Sequence, residues 1–238
     1  MPSLYSKIVT YKKECNPFAF EHVLYKKDSR KMESLLSSVP SGAKILDVGC
    51  GSGKYWNIRN DLNWIGLDVD SSSRASILIN NGDNYPIQSE SFDAVIMSFS
   101  IEHISNTPHL IQEVYRVLKS KGVLIIRCPF IYPLHDSPDD FYRFSPSGLS
   151  ANLGNFDMKE ININGGFFEA QAVNSNYFLL QTYNKCSLIY PRHFFKLFLF
   201  LPFLMITLLN NILSLLLSKL DMTEKFPILH DSIWIKID

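Results

Sequence analysis

The sequence has few cysteines, and none of them is spaced like a metal site. Its 238 residues include four cysteines, Cys15, Cys50, Cys128 and Cys186, which lie far apart without a C-x-x-C pair. Neither cysteine-based metal binding nor a disulfide framework is expected from such spacing, and a reducing compartment fits it better. We therefore predict no metal ligands and a cytoplasmic protein.

The sequence also lacks an excess of either charge. Lys plus Arg and Asp plus Glu both number 23, and no basic run is long enough to suggest a nucleic-acid surface. The first 16 residues have lysines but no apolar core or small-residue cleavage site, unlike a secretory signal. These absences predict a cytoplasmic protein with no nucleic-acid partner.

Two glycine motifs are incomplete in the stretch AKILDVGCGSG, residues 43–53. A phosphate loop ending at Gly53-Lys54 would need a glycine at Val48 and a Ser or Thr at Tyr55. A dinucleotide fingerprint starting at Gly49 would need its third glycine where Lys54 stands. Both classes of nucleotide site are therefore disfavoured.

The same stretch predicts another kind of ligand site. Gly49, Gly51 and Gly53 follow an apolar strand, where bare backbone lets a ligand approach closely and a following helix offers free N–H groups. Asp47 precedes the glycines, and a carboxylate there suits a ligand with positive charge and N–H donors. The alternative is a tight turn without a ligand.

Strands and helices alternate along the first two thirds of the chain. A helix is predicted over residues 20–39, and apolar runs predict strands at 45–48, 64–67, 92–98 and 123–128. Residues 109–118 have a helical period. This order predicts an α/β fold with a doubly wound, mostly parallel sheet, in which ligands bind beyond the carboxyl ends of the strands.

Several motifs resemble class I S-adenosylmethionine-dependent methyltransferases of the type 11 group. ILDVGCGSG resembles their first signature, and WIGLDVD and SFDAVIMSFSIEHI resemble their second and fourth strands. EVYRVLKSKGVLIIRCPF resembles the next helix and strand, so the likeness covers roughly residues 20–165. The resemblance implies a Rossmann-like methyltransferase fold whose last strand is antiparallel.

The resemblance also implies where S-adenosyl-L-methionine binds. Asp47 would act near the methionine amino group, and Asp68 would accept hydrogen bonds from both ribose hydroxyls. Asp83 resembles the acid that contacts the adenine amino group. The implied cofactor-binding residues are Asp47, Gly49, Gly51, Gly53, Asp68, Asp83, Ser98 and Phe99.

The acceptor side is expected in the loops after the fourth and fifth strands. Residues 128–149 resemble a P-x-H-x-x-P-x-D-x-Y-R-F loop of methyltransferases in cell-surface glycan biosynthesis. His135 is the first candidate for a general base, and His103 and Asp136 are further catalytic candidates. Asp140, Tyr142 and Arg143 are candidate substrate contacts. The alternative is that His135, Asp140 and Arg143 only pin the loop by hydrogen bonds.

An apolar segment precedes the C-terminal strand. Residues 191–224 are expected to form a helical insertion in a methyltransferase domain made of residues 1–190 and 225–238. Residues 197–217 are long enough to cross a bilayer, but the alternating segment 232–237 must return to the sheet. A helix pair broken near Pro202 or Asn210 and lying on one membrane leaflet satisfies both constraints, as does packing on the domain or on a second subunit. Oligomeric state stays open.

Together these observations predict O-methylation of a sugar or glycolipid precursor in cell-envelope glycan biosynthesis, at the inner face of the membrane. The expected partner is a small-molecule or lipid-linked glycan acceptor. Alternatives are methylation of a quinone or isoprenoid lipid, and a non-catalytic cofactor-binding subunit.

Overall fold

The computed structural model describes residues 4–10, 16–26, 28–189, 193–221 and 225–238. Cys15 and parts of the expected insertion 191–224 lie outside these residues. The helices are α1 (Leu4–Thr10), α2 (His22–Tyr25), α3 (Asp28–Leu36), α4 (Thr107–Val117), α5 (Pro146–Asn152), α6 (Phe167–Ile189) and α7 (His193–Leu217). The strands are β1 (Lys44–Val48), β2 (Asn63–Asp68), β3 (Ile77–Leu78), β4 (Phe92–Ser98), β5 (Leu118–Pro129), β6 (Phe156–Asn164) and β7 (Leu229–Lys236).

The seven strands form one sheet in the order β3-β2-β1-β4-β5-β7-β6. The strands β1 to β5 pair in parallel, whereas β7 pairs antiparallel to β5. This confirms the predicted α/β fold with a mostly parallel sheet and an antiparallel last strand. The carboxyl ends of β1, β2 and β4 consequently meet at one edge of the sheet, where ligands bind in such folds.

Both faces of the sheet are buried because side chains alternate along each strand. Residues such as Leu46, Val95 and Leu124 belong to one core cluster, which includes the apolar residues of α4. Their neighbours Ile45, Ala94 and Ile125 belong to a second cluster, which includes Met32, Leu35 and Leu36 of α3. The continuous apolar runs in the sequence are therefore those of strands covered on both sides.

Two predicted helices differ in the structure. The residues after β1 form consecutive turns instead of a helix, because Gly51 and Gly53 adopt positive φ angles of 49° and 65°. The turns contain local bonds, such as Gly53 N–H to the Cys50 carbonyl at 2.8 Å, and one from Arg74 N–H to the Gly51 carbonyl at 2.7 Å. The helix predicted over residues 20–39 is divided into α2 and α3. The N–H groups of Gly49, Gly51 and Gly53 therefore belong to turns and not to a helix terminus, and each of them donates a hydrogen bond.

The contacts divide the chain into two compact units. The first, termed the helical unit, consists of Met1–Asp28, Ile131–Pro133 and Asn164–Ile228. The second, termed the sheet unit, consists of Ser29–Phe130, Leu134–Ile163 and Leu229–Asp238. The expected insertion 191–224 thus lies within a larger unit that also includes α1, α2 and α6.

Helix α7 is continuous, in contrast to the helix pair expected from Pro202 and Asn210. Pro202 lies inside the helix, and Asn210 donates a hydrogen bond to the Asn176 side chain of α6 at 2.8 Å. Asn211 donates to the carbonyl oxygens of Pro17 and Ala19, both at 2.8 Å, and accepts from Asn176 at 2.9 Å. These asparagines join α7 to the rest of the helical unit and do not interrupt it.

The polarity of α7 is inverted relative to a helix that faces water. Among its described side chains, the fully buried ones are the polar residues Thr207, Asn211 and Ser214. The exposed ones form an apolar stripe, termed the outer face of α7: Phe198, Leu201, Met205, Ile206, Leu209, Ile212, Leu213 and Leu216. A water-facing helix has the opposite arrangement, with its apolar side turned inward.

One helical segment of the described residues is long and apolar enough to cross a membrane. It runs from Phe198 to Leu220 with a mean hydropathy of 2.0, and 17% of its most apolar window is buried.

Candidate active site

The turn after β1 contains a glycine whose place no other residue could take. Gly49 has a φ of 73°, and a Cβ placed on it would lie 2.6 Å from the Cβ of Ser100. The Gly49 N–H donates to the Leu67 carbonyl of β2 at 2.8 Å. Glycine is required here because both the positive φ and the close approach of the chain after β4 exclude a side chain.

Asp47 is buried beneath this turn. Its side chain accepts a hydrogen bond from Trp56 Nε1 at 2.8 Å and is 6% exposed. Burial raises the pKa of Asp47 to about 6, with the Trp56 hydrogen bond lowering it and the charge of Asp68 raising it further. A cationic ligand group at this place would offset the cost of the buried carboxylate.

Asp68 is fixed at the carboxyl end of β2. Its Oδ2 accepts from Gly51 N–H at 2.8 Å, and its Oδ1 accepts from Val69 at 2.8 Å and from Asp70 at 3.0 Å. A carboxylate offers about four acceptor positions, so these three bonds orient it without exhausting it. The remaining capacity suits a ligand with paired hydroxyl groups.

A cavity of about 280 Å³ opens at these strand ends in the sheet unit. Polar and apolar groups both line it: Val48, Gly49, Leu67, Asp68, Ile79, Asp83, Tyr85, Phe99, Ser100, His103, Ile104, Asn106, His109 and Leu110 among others. Asp83, whose Oδ2 also accepts from the Asn80 side chain at 2.9 Å, belongs to this lining. The described lining does not include Asp47, Gly51, Gly53 or Ser98.

The cavity fits S-adenosylmethionine by the chemistry of its donors and acceptors. Bare backbone at Gly49 and a fixed carboxylate at Asp68 suit the methionine and ribose portions. Leu67, Ile79 and Leu110 supply apolar walls suited to an aromatic ring. The cavity therefore agrees with the residue roles implied by the sequence, although it brings only part of the predicted set to its surface.

Beyond β4, three ionisable side chains converge, and His103 among them lines the cavity. Glu102 and His103 lie in a 3₁₀ turn at Ile101–His103, and His135 comes from the loop after β5. The Nε2 atoms of His103 and His135 each lie 3.9 Å from Oε1 of Glu102. The two rings meet edge to face with centroids 4.8 Å apart. We term these residues the Glu-His-His cluster.

Glu102 is the centre of this cluster. It is completely buried, and neither carboxylate oxygen accepts a hydrogen bond from another of the described residues. Burial raises the pKa of Glu102 to about 8, while its backbone hydrogen bond and the charge of Arg143 lower it. The dipeptide Glu102-His103 after β4 could be identified from sequence, but the burial of Glu102 could not.

The loop after β5 is held by its own charged residues. Arg143 pairs with both oxygens of Asp140 at 2.5 and 2.7 Å, and the His135 N–H donates to Asp140 Oδ2 at 2.9 Å. The Arg143 guanidinium lowers the pKa of Asp140. Tyr142 donates to the Ser105 carbonyl at 2.8 Å. The geometry thus matches the loop-pinning alternative for Asp140 and Arg143, and it brings His135 to His103.

Asp136 is placed differently from the two histidines. It is exposed and has a positive φ of 49°, and it acts on Glu102 only as a nearby negative charge. Of the three catalytic candidates, the structure therefore brings together His135 and His103, and Asp136 is not part of their cluster.

Comparison with known families supports the same assignment. The sequence model described as a methyltransferase domain matches residues 46–126, which include β2, β3 and β4 and most of β1 and β5. The chain contains a class I S-adenosylmethionine-dependent methyltransferase domain. The cofactor of this domain is S-adenosyl-L-methionine.

Curated relatives share the region of this domain. A tRNA (carboxymethyluridine(34)-5-O)-methyltransferase of Arabidopsis thaliana is 33% identical over 106 residues, covering 40% of this chain and 26% of the relative. One of the same name from Schizosaccharomyces pombe is 32% identical over 94 residues, covering 37% and 41%. The chain thus matches less than half the length of either relative.

These names correct one expectation from the sequence. The balanced charge predicted no nucleic-acid partner, and the resemblance of the loop at residues 128–149 implied a glycan acceptor, whereas the relatives are named as tRNA-modifying enzymes. Net charge failed as a guide because it sums the whole chain and says nothing about a local contact surface.

Solved structures share the fold over nearly the whole chain. Phosphoethanolamine N-methyltransferase 2 of Haemonchus contortus, solved with S-adenosyl-L-methionine, has a TM-score of 0.55 at 16% identity and covers 99% of this chain and 60% of that one. The cyclase SpnF has a TM-score of 0.55 at 15% identity, with 99% and 97% covered. Since a cyclase shares the fold, the fold alone does not determine the reaction.

Proposed function

We propose that this protein transfers the methyl group of S-adenosylmethionine to an oxygen atom of its acceptor. The observation that carries the proposal is the Glu-His-His cluster beside the cofactor cavity, because His103 belongs both to the cluster and to the cavity lining. Oxygen acceptors profit from a group that removes their proton, and imidazoles are suited to that task.

The proposed binding residues hold the cofactor by complementary charge. Asp68 would accept hydrogen bonds from the ribose, Asp83 would lie near the adenine, and Asp47 would face the methionine ammonium group. Gly49, Gly51, Gly53, Ser98 and Phe99 complete the proposed set. When bound, the cofactor supplies an activated sulfonium methyl group, so the main task of the protein is to orient the acceptor.

His103 and His135 are the proposed groups that receive the acceptor's proton. Both imidazoles lie 3.9 Å from the buried Glu102 carboxyl group. Nδ1 of His135 also lies 3.3 Å from the Asp140 carboxylate, whose pKa is lowered, so a positive charge gained by the His135 ring would be stabilised. Asp140 and Arg143 hold the His135 loop in place for this contact. Tyr142 and Arg143, in the loop after β5, remain proposed substrate contacts.

The acceptor class that the relatives support is an oxygen of a modified uridine in tRNA. Both relatives reported above are named for O-methylation of carboxymethyluridine.

The test is a methyl-transfer assay with radiolabelled S-adenosylmethionine. Carboxymethyluridine-containing tRNA, a lipid-linked sugar extract and a quinone precursor are offered in parallel to the wild type and to Asp68→Asn. Label in tRNA that the variant loses supports the proposal. Label in another acceptor overturns the acceptor class, and binding of S-adenosylhomocysteine without label in any oxygen acceptor overturns the proposed reaction.

We also propose that the outer face of α7 rests on the cytoplasmic leaflet of a membrane. Its exposed apolar side chains and buried polar ones suit an apolar surrounding. Exposed Lys219 and Lys225 follow it in sequence and would attract anionic headgroups. The three described cysteines, Cys50, Cys128 and Cys186, are free thiols, as a reducing compartment favours. Flotation with anionic vesicles tests this placement; a protein that stays at the bottom of the gradient overturns it.

A further inference from the structure

Two hydroxyl groups at the end of β4 are buried without a hydrogen-bond partner among the described residues. They belong to Ser98 and Ser100. Ser100 is 7% exposed, and its side chain does not cap the 3₁₀ turn that follows it. Since buried polar groups in native proteins are normally hydrogen-bonded, these hydroxyl groups are expected to meet a ligand or water.

Ser100 is the one of the two that lines the cofactor cavity. A Cβ placed on Gly49 would lie 2.6 Å from the Cβ of Ser100 and 3.3 Å from its Oγ. The Ser100 side chain therefore lies directly against the glycine turn that follows β1, where the cofactor is expected to approach the main chain.

The strand order indicates which part of the cofactor reaches Ser100. In the sheet, β1 lies between β2 and β4, and β3 lies on the far side of β2. The proposed ribose contact Asp68 ends β2, and the proposed adenine contact Asp83 follows β3. Ser100 follows β4, on the opposite side of β1. A cofactor with its adenosine portion at β2 and β3 therefore extends its methionine portion towards Ser100.

The methionine portion carries a carboxylate, which needs hydrogen-bond donors. None of the described residues that line the cavity is a lysine or an arginine. The main-chain N–H groups of the three glycines in the turn already donate to oxygens of the protein. The Ser100 hydroxyl group is a donor at this place whose capacity is not used within the described residues.

We propose that the hydroxyl group of Ser100 donates a hydrogen bond to the carboxylate of the cofactor's methionine portion. Ser100 thereby joins the cofactor-binding residues, although the set predicted from the sequence ended at Phe99. Together with the proposed contact of Asp47, it would hold both charged groups of the methionine portion, the ammonium group by an anionic side chain and the carboxylate by a neutral one. This contact concerns the cofactor and requires neither the proposed acceptor nor the Glu-His-His cluster.

The experiment compares two ligands by calorimetry with the full-length protein. They are S-adenosylhomocysteine and its decarboxylated form, which lacks only the carboxylate, and a pH of about 7.5 keeps Asp47 ionised. Ser100→Ala should bind S-adenosylhomocysteine about 10-fold to 100-fold more weakly than the wild type, whereas both proteins should bind the decarboxylated ligand equally well. Ser105→Ala, the same change at an exposed position, should match the wild type with both ligands.

Two results would overturn the contact. One is equal affinity of the wild type and Ser100→Ala for S-adenosylhomocysteine, and the other is an equal loss with both ligands, since the hydroxyl group would then act on another part of the cofactor. Circular dichroism verifies folding, and Ser100→Cys, which offers only a weak donor, serves if Ser100→Ala is not folded. S-adenosylhomocysteine has no methyl group to transfer. A loss confined to the ligand with the carboxylate, in a protein that methylates no oxygen acceptor, would therefore leave this contact standing and refute the proposed reaction alone.

Discussion

The indole Nε1 of Trp56 donates a hydrogen bond to Oδ2 of Asp47 over 2.8 Å, and this carboxyl group has a pKa raised to about 6 by burial. The proposed contact with the methionine ammonium group requires the ionised form. Cofactor binding must therefore release a proton whenever the pH lies below the pKa of free Asp47.

The affinity for S-adenosylhomocysteine is expected to rise between pH 5 and 7. Below pH 6 it should fall by up to about tenfold per pH unit, and above pH 7 it should level off. Calorimetry across this range measures it. In Asp47→Asn, which keeps an acceptor for Trp56, the affinity should be lower and this pH dependence absent; an unchanged profile would contradict the proposed contact.

Asp47 should also affect stability, with a sign opposite to that of most carboxylates. Because its pKa is raised, the folded state holds the proton more tightly than the unfolded state. Stability is thus lost as the pH rises from about 4 to about 6, by about 3 kcal/mol for a shift of two units. In urea unfolding, the free energy of unfolding of Asp47→Asn should rise relative to that of the wild type between pH 4 and pH 6. A constant difference between the two proteins would refute the raised pKa.

Asp68→Asn is expected to weaken cofactor binding by about 100-fold. The change removes the charge from the bonds proposed for the two ribose hydroxyls, each worth about 1.5–3 kcal/mol when charge-assisted. Asp70→Asn is the matched control, since Asp70 is exposed and its carboxylate accepts from the N–H and hydroxyl of Ser72 in the same turn. Equal losses in both variants would show that the loop, and not the ribose contact, is responsible.

Arg127 and Asp231 form a buried ion pair between β5 and the antiparallel β7, with Nε and Oδ1 2.8 Å apart. Asp231→Ala leaves a buried guanidinium without this partner and should lower the free energy of unfolding by about 3–5 kcal/mol. The double variant Arg127→Met with Asp231→Leu should lose less than the single one, as measured by urea unfolding. A larger loss in the double variant would show that other contacts of these residues dominate.

Substitutions at two neighbouring residues of α7 should affect different properties, one the stability of the protein and the other its binding to vesicles. Asn211→Leu removes the bonds to Pro17, Ala19 and Asn176 and should destabilise the protein by about 2–4 kcal/mol. Ile212→Asn alters only the outer face and should leave stability in buffer almost unchanged, while weakening flotation with vesicles. Equal flotation of Ile212→Asn and the wild type would contradict the membrane placement.

The sheet was predictable from the sequence because its signals are local. The run at 92–98 coincides with β4, and the strands containing Asp47 and Asp68 were located to within one residue. The proximity of Asp47 and Asp68 was also predictable, because the carboxyl ends of parallel strands meet at one edge of the sheet. The helices were harder, because glycines in left-handed conformation replaced the expected helix after β1 with turns.

The Glu-His-His cluster was only partly predictable from the sequence. His103 and His135 stand in loops whose ends the sheet brings together, so their proximity follows from the topology. The burial of Glu102 depends on tertiary packing, which no spacing in the sequence encodes. Similarly, Asn210 and Asn211 were expected to break α7, but contacts with Asn176 and with residues 17–19 satisfy their side chains inside a continuous helix.

Trp56 stacks against Trp64 with ring centroids 6.2 Å apart, lies under the Arg74 guanidinium at 4.9 Å and is bonded to Asp47. Its indole is therefore in direct contact with the carboxyl group that would change protonation when the cofactor binds. We therefore expect the emission of Trp56, one of three tryptophans, to change when the charge of Asp47 changes, which would let cofactor titrations be followed without a label.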